Sequence, residues 1–452
     1  MNQQPQENKM GTMPEGRLLL NMSLPMMVSM LVQAMYNIVD SIFVSRISEN
    51  ALTAVSLAFP LQSLMIAVAA GTGVGVNALI SRALGEKNQK RANEVAMNGI
   101  FIYLCSYIVV AILGNLIMGP FYNMQTNADQ KEIMELGVQY LGIVMTFSFG
   151  LFAQFIFERM LQATGRTLFT MISQTIGAVI NIIMDPILIF GLFGFPRMGI
   201  RGAAAATVLG QIIAACIAFI YNWKRNTDVQ LSLKGFRPDG KMIGHIYEIA
   251  IPSIIMQSIG SVMNTGMNLI LMNISSTAAA VFGIYYKLQS FFFMPVFGLN
   301  NGLIPIISYN FGAKKRSRML NTLKYGYMIA AFFTLLGFVA FEAIPDKLLL
   351  LFDASEDMIT IGVPALRTIA FHFLAAWLCI VNGSMFQAVG RAMYSLYVSV
   401  SRQLVVLLPV AWLLARLGGL ALIWWSFPIA EVMSMTVSLF CLRRVMKSLK
   451  NL

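Results

Sequence analysis

The chain is 452 residues long, 57% hydrophobic and only 12% charged. Soluble domains carry about 25% charged residues, so a soluble globular class is excluded. The net charge of +12 invites a nucleic-acid reading, but the basic residues sit in short loops between apolar runs, which makes them a topology signal instead.

Apolar stretches of about 20 residues or more recur from end to end, the length a helix needs to cross about 30 Å of hydrocarbon. Their continuity excludes a barrel, whose strands alternate. Twelve spans are expected, at about 17–45, 51–81, 92–118, 132–158, 167–194, 199–223, 245–273, 278–309, 317–343, 358–387, 392–416 and 419–442. The fold class is therefore an all-α polytopic membrane protein. Residues 1–16 form a polar tail before a first span too long for a cleaved signal peptide, so that span is expected to be retained.

In span 1, within QAMYNIVDSIFV, the residues Gln33, Asn37, Asp40, Ser41 and, at the margin, Tyr36 share one helical face. Pro25 frees the carbonyl of Asn21 and offers a bend. Span 2 carries GTGVG (Gly71–Gly75). No strand precedes it, so it reads as close helix packing, and no G-x-x-x-x-G-K-[ST] occurs anywhere. The chain shows no means of its own to use ATP, which leaves ion gradients or a downhill route. Glu158 and Arg159 close span 4 and are expected to anchor the turn before Gly165. Span 5, SQTIGAVINIIMDPILIFG, lines up Gln174, Gly177, Asn181 and Asp185, and its Pro186 leaves the carbonyl of Ile182 without its usual partner. Span 6 adds Thr207 and Gln211, four apart.

Residues 224–244 are the longest polar stretch and are expected to link two halves, 17–223 and 245–442, ahead of a basic tail at 443–452. Lys287 in span 8 either lines a cavity or pairs with a carboxylate. Arg402 in span 11 and Glu431 in span 12 fall at similar depth on antiparallel neighbours, which predicts a structural ion pair. Cys105, Cys216, Cys379 and Cys441 lie inside spans without metal or redox spacing and read as small buried residues. His245 and His372 are the only histidines, so no His-based metal site is expected.

Counting the first and last three residues of each span with the adjoining loop, the termini and the loops after spans 2, 4, 6, 8 and 10 carry 22 Lys and Arg, against six in the other loops. Both termini are therefore expected in the cytoplasm. An internal repeat accompanies this pattern. Pro25 and Pro252, Gln62 and Gln289, Gly71 and Gly298, Gly75 and Gly302, and Gly85 and Gly312 are all 227 residues apart, while LQATGR and FQAVGR place Gly165 and Gly390 at 225. Six spans return a chain to its starting side, so the halves should be related by a pseudo-two-fold axis along the membrane normal, a transporter plan with alternating access.

A buried carboxylate costs several kcal/mol unless neutralised or paired. Two in one low-dielectric pocket compound the penalty, so Asp40, Asn181, Asp185 and Thr207 are expected to take a proton or to offer oxygen ligands to a hard cation such as Na⁺. Asn181 or Thr207 alone reads as a bond between helices, whereas intramembrane carboxylates are rare enough to read as functional. The repeat makes the cluster one-sided: Asp40 corresponds to Met267, Asn181 to Val406 and Asp185 to Val410.

SLPMM, YNIVDSIFVSRI, LGEKN, LQATGR, NIIMDPILIFG and RGAAAAT together resemble the MATE (multidrug and toxic compound extrusion) transporters, closest to the DinF-like branch, over almost the whole chain. The resemblance implies a cation site at Asp40, Asn181 and Asp185 with Thr207 nearby, and efflux of bulky, often cationic and aromatic compounds in exchange for H⁺ or Na⁺. Span 7 lacks the acidic residue that some branches use for a second site.

The expectation is a secondary active antiporter with small-molecule substrates, not an enzyme. It should need no cofactor beyond H⁺ or Na⁺, bind no nucleic acid, and act as a monomer in the cytoplasmic (inner) membrane. Cavity candidates are Gln33, Tyr36, Asn37, Met256, Gln257 and Met263, because spans 1 and 7 are repeat partners, and Pro25 and Pro186 are hinge candidates. The alternative of a lipid-linked oligosaccharide flippase would call for extra spans and a strongly cationic cavity. An integral-membrane enzyme would need a convergent catalytic set that the sequence does not offer.

Overall fold

A computed structural model describes residues 8–126, 130–232, 234–352 and 354–451. Residues 1–7 of the polar tail, 233 of the linker and 452 of the basic tail lie outside the described residues.

The first half consists of a short α1 (Lys9–Thr12), then α2 (Glu15–Ser45), α3 (Glu49–Gly85), α4 (Gln89–Gln125), α5 (Lys131–Thr146), α6 (Phe149–Ala163), α7 (Thr167–Phe190) and α8 (Ile200–Arg225). The second half holds α9 (Gly240–Met272), α10 (Ser276–Gly312), α11 (Arg316–Ala343), a short α12 (Pro345–Leu350), α13 (Glu356–Ala370), α14 (Phe373–Ala388) and α15 (Ala392–Val400). A π-helical stretch at Ser401–Leu407 leads into α16 (Leu408–Gly418), α17 (Leu420–Ile423) and α18 (Ser426–Ser448). No strand occurs among the described residues.

Ten of these helical segments are long and apolar enough to cross a membrane, and two bent pairs bring the number to as many as twelve. The pairs are Lys131–Thr146 with Phe149–Ala163, bent by 44°, and Glu356–Ala370 with Phe373–Ala388, bent by 51°. The expected fourth and tenth spans are thus broken helices.

The repeat is visible in local structure. α3 and α10 are both 37 residues long, and Ser48 and Ser275, 227 apart, cap them by accepting from Ala51 N at 3.0 Å and Ala278 N at 3.3 Å. Each following turn puts a lysine in the left-handed region, Lys87 at φ 57° and Lys314 at φ 56°. Gly165 and Gly390 close their turns at φ 82° and 79°, a conformation that suits a residue without Cβ.

The chain divides into two compact units, one of residues Val28–Ala250 and one joining the residues up to Met27 with those from Ile251 on. The boundaries fall inside α2 and α9, close to the matched Pro25 and Pro252. In the second unit an added Cβ on Gly302 would lie 3.1 Å from Ser23 Cα, and in the first one on Gly75 would lie 2.6 Å from the Ile246 carbonyl oxygen. Glycine is what allows these backbones to touch.

The core of the 28–250 unit gathers Tyr103, Tyr122, Tyr140 and Phe152 among small and branched residues. Its buried hydroxyls are satisfied: Tyr103 donates to the Ala69 carbonyl at 2.5 Å and Tyr122 to that of Ala54 at 2.7 Å. The other unit packs Phe282, Tyr285, Phe293, Phe341, Phe373 and Phe427 into an aromatic cluster.

Candidate functional site

The site lies within the 28–250 unit, where α2 and α7 each turn one carboxylate inward. Asp40 is half-buried and Asp185 has no exposed surface. The two carboxyl groups lie within hydrogen-bonding reach of each other. No Lys, Arg or His among the described residues acts on either carboxylate. Asp40 Oδ1 and both oxygens of Asp185 have no donor among the described residues.

Asn181, one turn before Asp185, repeats the pattern. Its Nδ2 donates to Thr207 Oγ1 of α8 at 3.3 Å, while its Oδ1 is buried and unpartnered. Glycines set this distance. An added Cβ on Gly210 would lie 2.6 Å from the Gly177 carbonyl oxygen and 3.3 Å from Asn181 Cβ, and one on Gly202 would lie 2.6 Å from the Leu188 carbonyl oxygen. α7 and α8 therefore touch backbone to backbone, which brings Asn181 to Thr207.

Gln33, Tyr36 and Tyr140 complete the surroundings. Tyr36 hydrogen-bonds with Gln33 and faces both carboxylates. Tyr140 of α5 faces Asp40, Asp185 and Tyr36 and accepts from Gln62 Nε2 at 3.2 Å. Tyr140 carries no signal in the sequence, because a tyrosine in an apolar run reads as filler, and Gln62 stands out there only as a repeat landmark.

Two facing carboxylates and, one turn away on α7, the amide oxygen of Asn181 are thus all buried acceptors, with the Thr207 hydroxyl beside Asn181. Acceptors buried without donors are costly. One proton shared between Asp40 and Asp185 turns a repulsive pair into a carboxyl–carboxylate hydrogen bond, and a hard cation would find oxygen ligands of the right kind. No group of three or more His, Cys, Asp or Glu suited to a metal occurs among the described residues.

The other predicted residues fall elsewhere. Asn37 is exposed, with Ser41 Oγ donating back to its carbonyl at 2.9 Å. Gln174 turns from the carboxylate pair to Glu158, donating to Oε2 at 2.6 Å. Pro25 and Pro186 lie inside the continuous helices α2 and α7. On α9, Met256 and Met263 are half-buried and Gln257 is exposed. Lys287 is exposed, its Nζ 5.9 Å from the centre of the Phe352 ring.

Arg402 Nη1 lies 3.5 Å from Glu431 Oε2. His372, at the break between α13 and α14, joins them: its Nδ1 is 3.7 Å from the same oxygen and its Nε2 is 3.1 Å from the Tyr285 hydroxyl. The contribution of His372 was not legible in the sequence, since one histidine in an apolar run points to no partner.

A family model described as MatE matches residues 25–187 and again 252–413, together more than half of the chain. The two matches start 227 residues apart, the offset of the repeat. The multidrug export protein MepA of Staphylococcus haemolyticus (strain JCSC1435) is 28% identical over 439 residues, covering 96% of this chain and 94% of its own. MepA of Staphylococcus aureus (strain MSSA476) is 27% identical over 421 residues, covering 92% and 91%. Among solved structures, the outward-facing conformation of a multidrug resistance MATE family transporter of the MOP superfamily matches with a TM-score of 0.91 at 24% identity, covering all of both chains. At that identity the likeness carries the fold, a two-lobe bundle of membrane helices.

Proposed function

The chain belongs to the MATE family of transporters, which are not enzymes, and on that premise we propose that it exports bulky cationic or amphipathic organic compounds in exchange for H⁺ or Na⁺ bound at the Asp40–Asp185 pair. The breadth of the substrate class follows the role of the MepA relatives, multidrug export. The coupling site follows from one observation: four buried oxygens of Asp40, Asn181 and Asp185 have no donor among the described residues. Such a pocket has a strong preference for being occupied by a small positive ion.

In the proposed cycle the ion enters from outside and neutralises the pair. α2 then repacks, bending at Pro25, with Pro186 as the matching weak point on α7, and substrate leaves. The two repeat halves, 17–223 and 245–442, exchange access around this site with both termini in the cytoplasm, and a single chain carries out the cycle.

The test is ethidium transport by the purified protein in proteoliposomes, driven first by a pH step and then by a Na⁺ step. One of the two gradients should drive wild-type transport, and neither should drive Asp40→Asn. Undiminished transport by that variant would remove the pair from the mechanism.

A further inference from the structure

Between Ile251 and Gly312 the chain holds no Asp or Glu and a single base, Lys287. Lys287 lies eleven residues after Ser276, the start of α10, or about 16 Å along the helix. Its side chain is exposed. The ion pairs of this unit among the described residues join Arg318 to Glu15, and Arg402 and His372 to Glu431, and Lys287 takes part in none of them. Its ammonium lies 5.9 Å from the centre of the Phe352 ring, at the outer limit of a cation–π contact. A charge at this depth is costly in hydrocarbon and belongs on a wetted face.

α9 shows where that face lies. Gln257, Ser261, Asn264 and Asn268 fall within about 60° of one another around the helix and extend about 16 Å along it. None of the four is fully buried. The exposed Ile255, Val262 and Leu269 form a separate stripe about 120° away. The apolar stripe suits lipid, whereas amides turned to hydrocarbon would go unsatisfied. The polar stripe continues onto α10: the side chain of Asn264 hydrogen-bonds with the hydroxyl of Tyr286, the residue before Lys287, and accepts from Asn268 Nδ2 at 2.9 Å. Gly283, one turn before Lys287, leaves room beside it, since an added Cβ there would meet nothing within 4 Å. Phe291, one turn after Lys287, is exposed on the same side of α10.

The repeat supplies an internal contrast. At the offset of 227, Asn264 corresponds to Asn37 and Asn268 to Ser41, so the first helix of each half keeps polar groups at these positions. The charges differ in sign. The first half has Asp40 where the second has Met267, and the second has Lys287 where the first has Pro60.

We propose that Lys287 is a specificity-determining residue for export, its ammonium binding the carboxylate or sulfonate of an amphipathic compound whose aromatic body packs on Phe291. The proposal rests on the export reading above and extends the substrate class to organic anions. Beside apolar rings, a lysine and an oxyanion form a charge-assisted hydrogen bond worth about tenfold or more in affinity. The same ammonium disfavours a cation at that point. With no acid between Ile251 and Gly312, the bound anion has no competitor for the ammonium on this stretch of α9 and α10.

The experiment titrates the full chain, purified in detergent, with dansylglycine, which carries a carboxylate at neutral pH, and with its uncharged amide. Binding is read from dansyl fluorescence. Wild type should bind the acid at least tenfold more tightly than the amide. Lys287→Gln should remove that preference by weakening the acid, with the amide within twofold of wild type. Lys287→Arg should keep the preference, and Lys287→Glu should weaken the acid further and tighten ethidium several-fold. Equal affinity of wild type for acid and amide would overturn the proposal, and that comparison decides the matter if Lys287→Gln does not fold. An undiminished preference in a folded Lys287→Gln would also overturn it and leave Lys287 as a side chain reaching for the membrane surface. Proteoliposomes separate this site from the reading beneath it. Ethidium export by a protein that shows no preference for the acid removes only the Lys287 site. A preserved preference in a protein that exports neither ethidium nor dansylglycine, under a pH step or a Na⁺ step, removes the export reading and with it any role of Lys287 in export.

Discussion

Asp40 and Asp185 face each other with no base among the described groups acting on them, whereas Glu431, buried in the other unit, has Arg402 at 3.5 Å and His372 at 3.7 Å. The second arrangement is nearly self-sufficient. One guanidinium balances one carboxylate, and a neutral imidazole can donate from Nδ1 to Glu431 while its Nε2 accepts from Tyr285. Only Glu431 Oε1 lacks a partner in that group. The first arrangement has an excess of negative charge and of acceptors, and an ion must come from outside to balance it. Burying ionic groups is common to both regions; the absence of a counter-charge among the described residues is what supports the proposal that one of them binds and releases an ion.

The sharpest way to break this contrast is to remove charge from the open pair. Asp185→Asn or Asp40→Asn should reduce gradient-driven export at least a hundredfold while the protein still inserts and elutes as a single species, since neutralising an unpaired carboxylate relieves repulsion. Export assays alongside size-exclusion profiles check both halves of the statement. If the variant is inactive because it is unfolded, the pair is structural, and the contrast with Glu431 disappears.

Cutting the closed network should have the opposite signature. Arg402→Gln leaves Glu431 buried without its guanidinium. Loss of one partner from a fully buried pair costs roughly 3–5 kcal/mol, and the partial exposure of Arg402 reduces the expected penalty to about 2 kcal/mol. The thermal midpoint in detergent should fall by several degrees, while the gradient dependence of whatever protein survives stays wild-type. Replacing both partners, Arg402→Met with Glu431→Leu, should recover most of the loss. A double variant that is stable but uncoupled would show that the second cluster takes part in coupling.

Much of this organisation could be read in the residues. Span length and apolarity point to as many as twelve crossings because hydrocarbon thickness leaves little choice, and the repeat follows from Pro, Gly and Gln punctuation. Asp40 and Asp185 stand out as isolated carboxylates in apolar helices. Their closeness does not, because it depends on how α2 lies against α7. The breaks at Phe147–Ser148 and Phe371–His372 have no Pro or Gly to announce them, and nothing in SRQLVVL signals a π-helical turn. The matched exchange of α2 and α9 between units was equally hidden, since Gly75 and Gly302 reveal close packing but not the helix they receive.

A smaller effect tests whether the pair depends on the spacing of its neighbours. Gly210→Ala would place a Cβ 2.6 Å from the Gly177 carbonyl oxygen, so α8 must move away from α7. Overpacking of this kind costs about 1–3 kcal/mol. Because Asn181 meets Thr207 at the same level, the shift should also weaken coupled export several-fold. Melting curves and export rates should move together. A variant that loses stability and keeps its coupling would show that Asn181 needs no partner on α8.

The gentlest change is Thr207→Val, which keeps the side-chain shape and removes the hydroxyl that Asn181 Nδ2 reaches at 3.3 Å. That distance is long for a hydrogen bond, so its net worth is at or below about 1 kcal/mol. The consequence depends on which ion the pair takes. For a proton, Thr207 acts only by steadying Asn181, and the apparent affinity for the driving ion should shift by less than about fivefold. For Na⁺, the hydroxyl is one of few oxygen ligands, and its loss should weaken binding by more than tenfold. Measuring the half-saturating proton and Na⁺ concentrations of export in wild type and Thr207→Val therefore separates the two ions with one methyl-for-hydroxyl exchange.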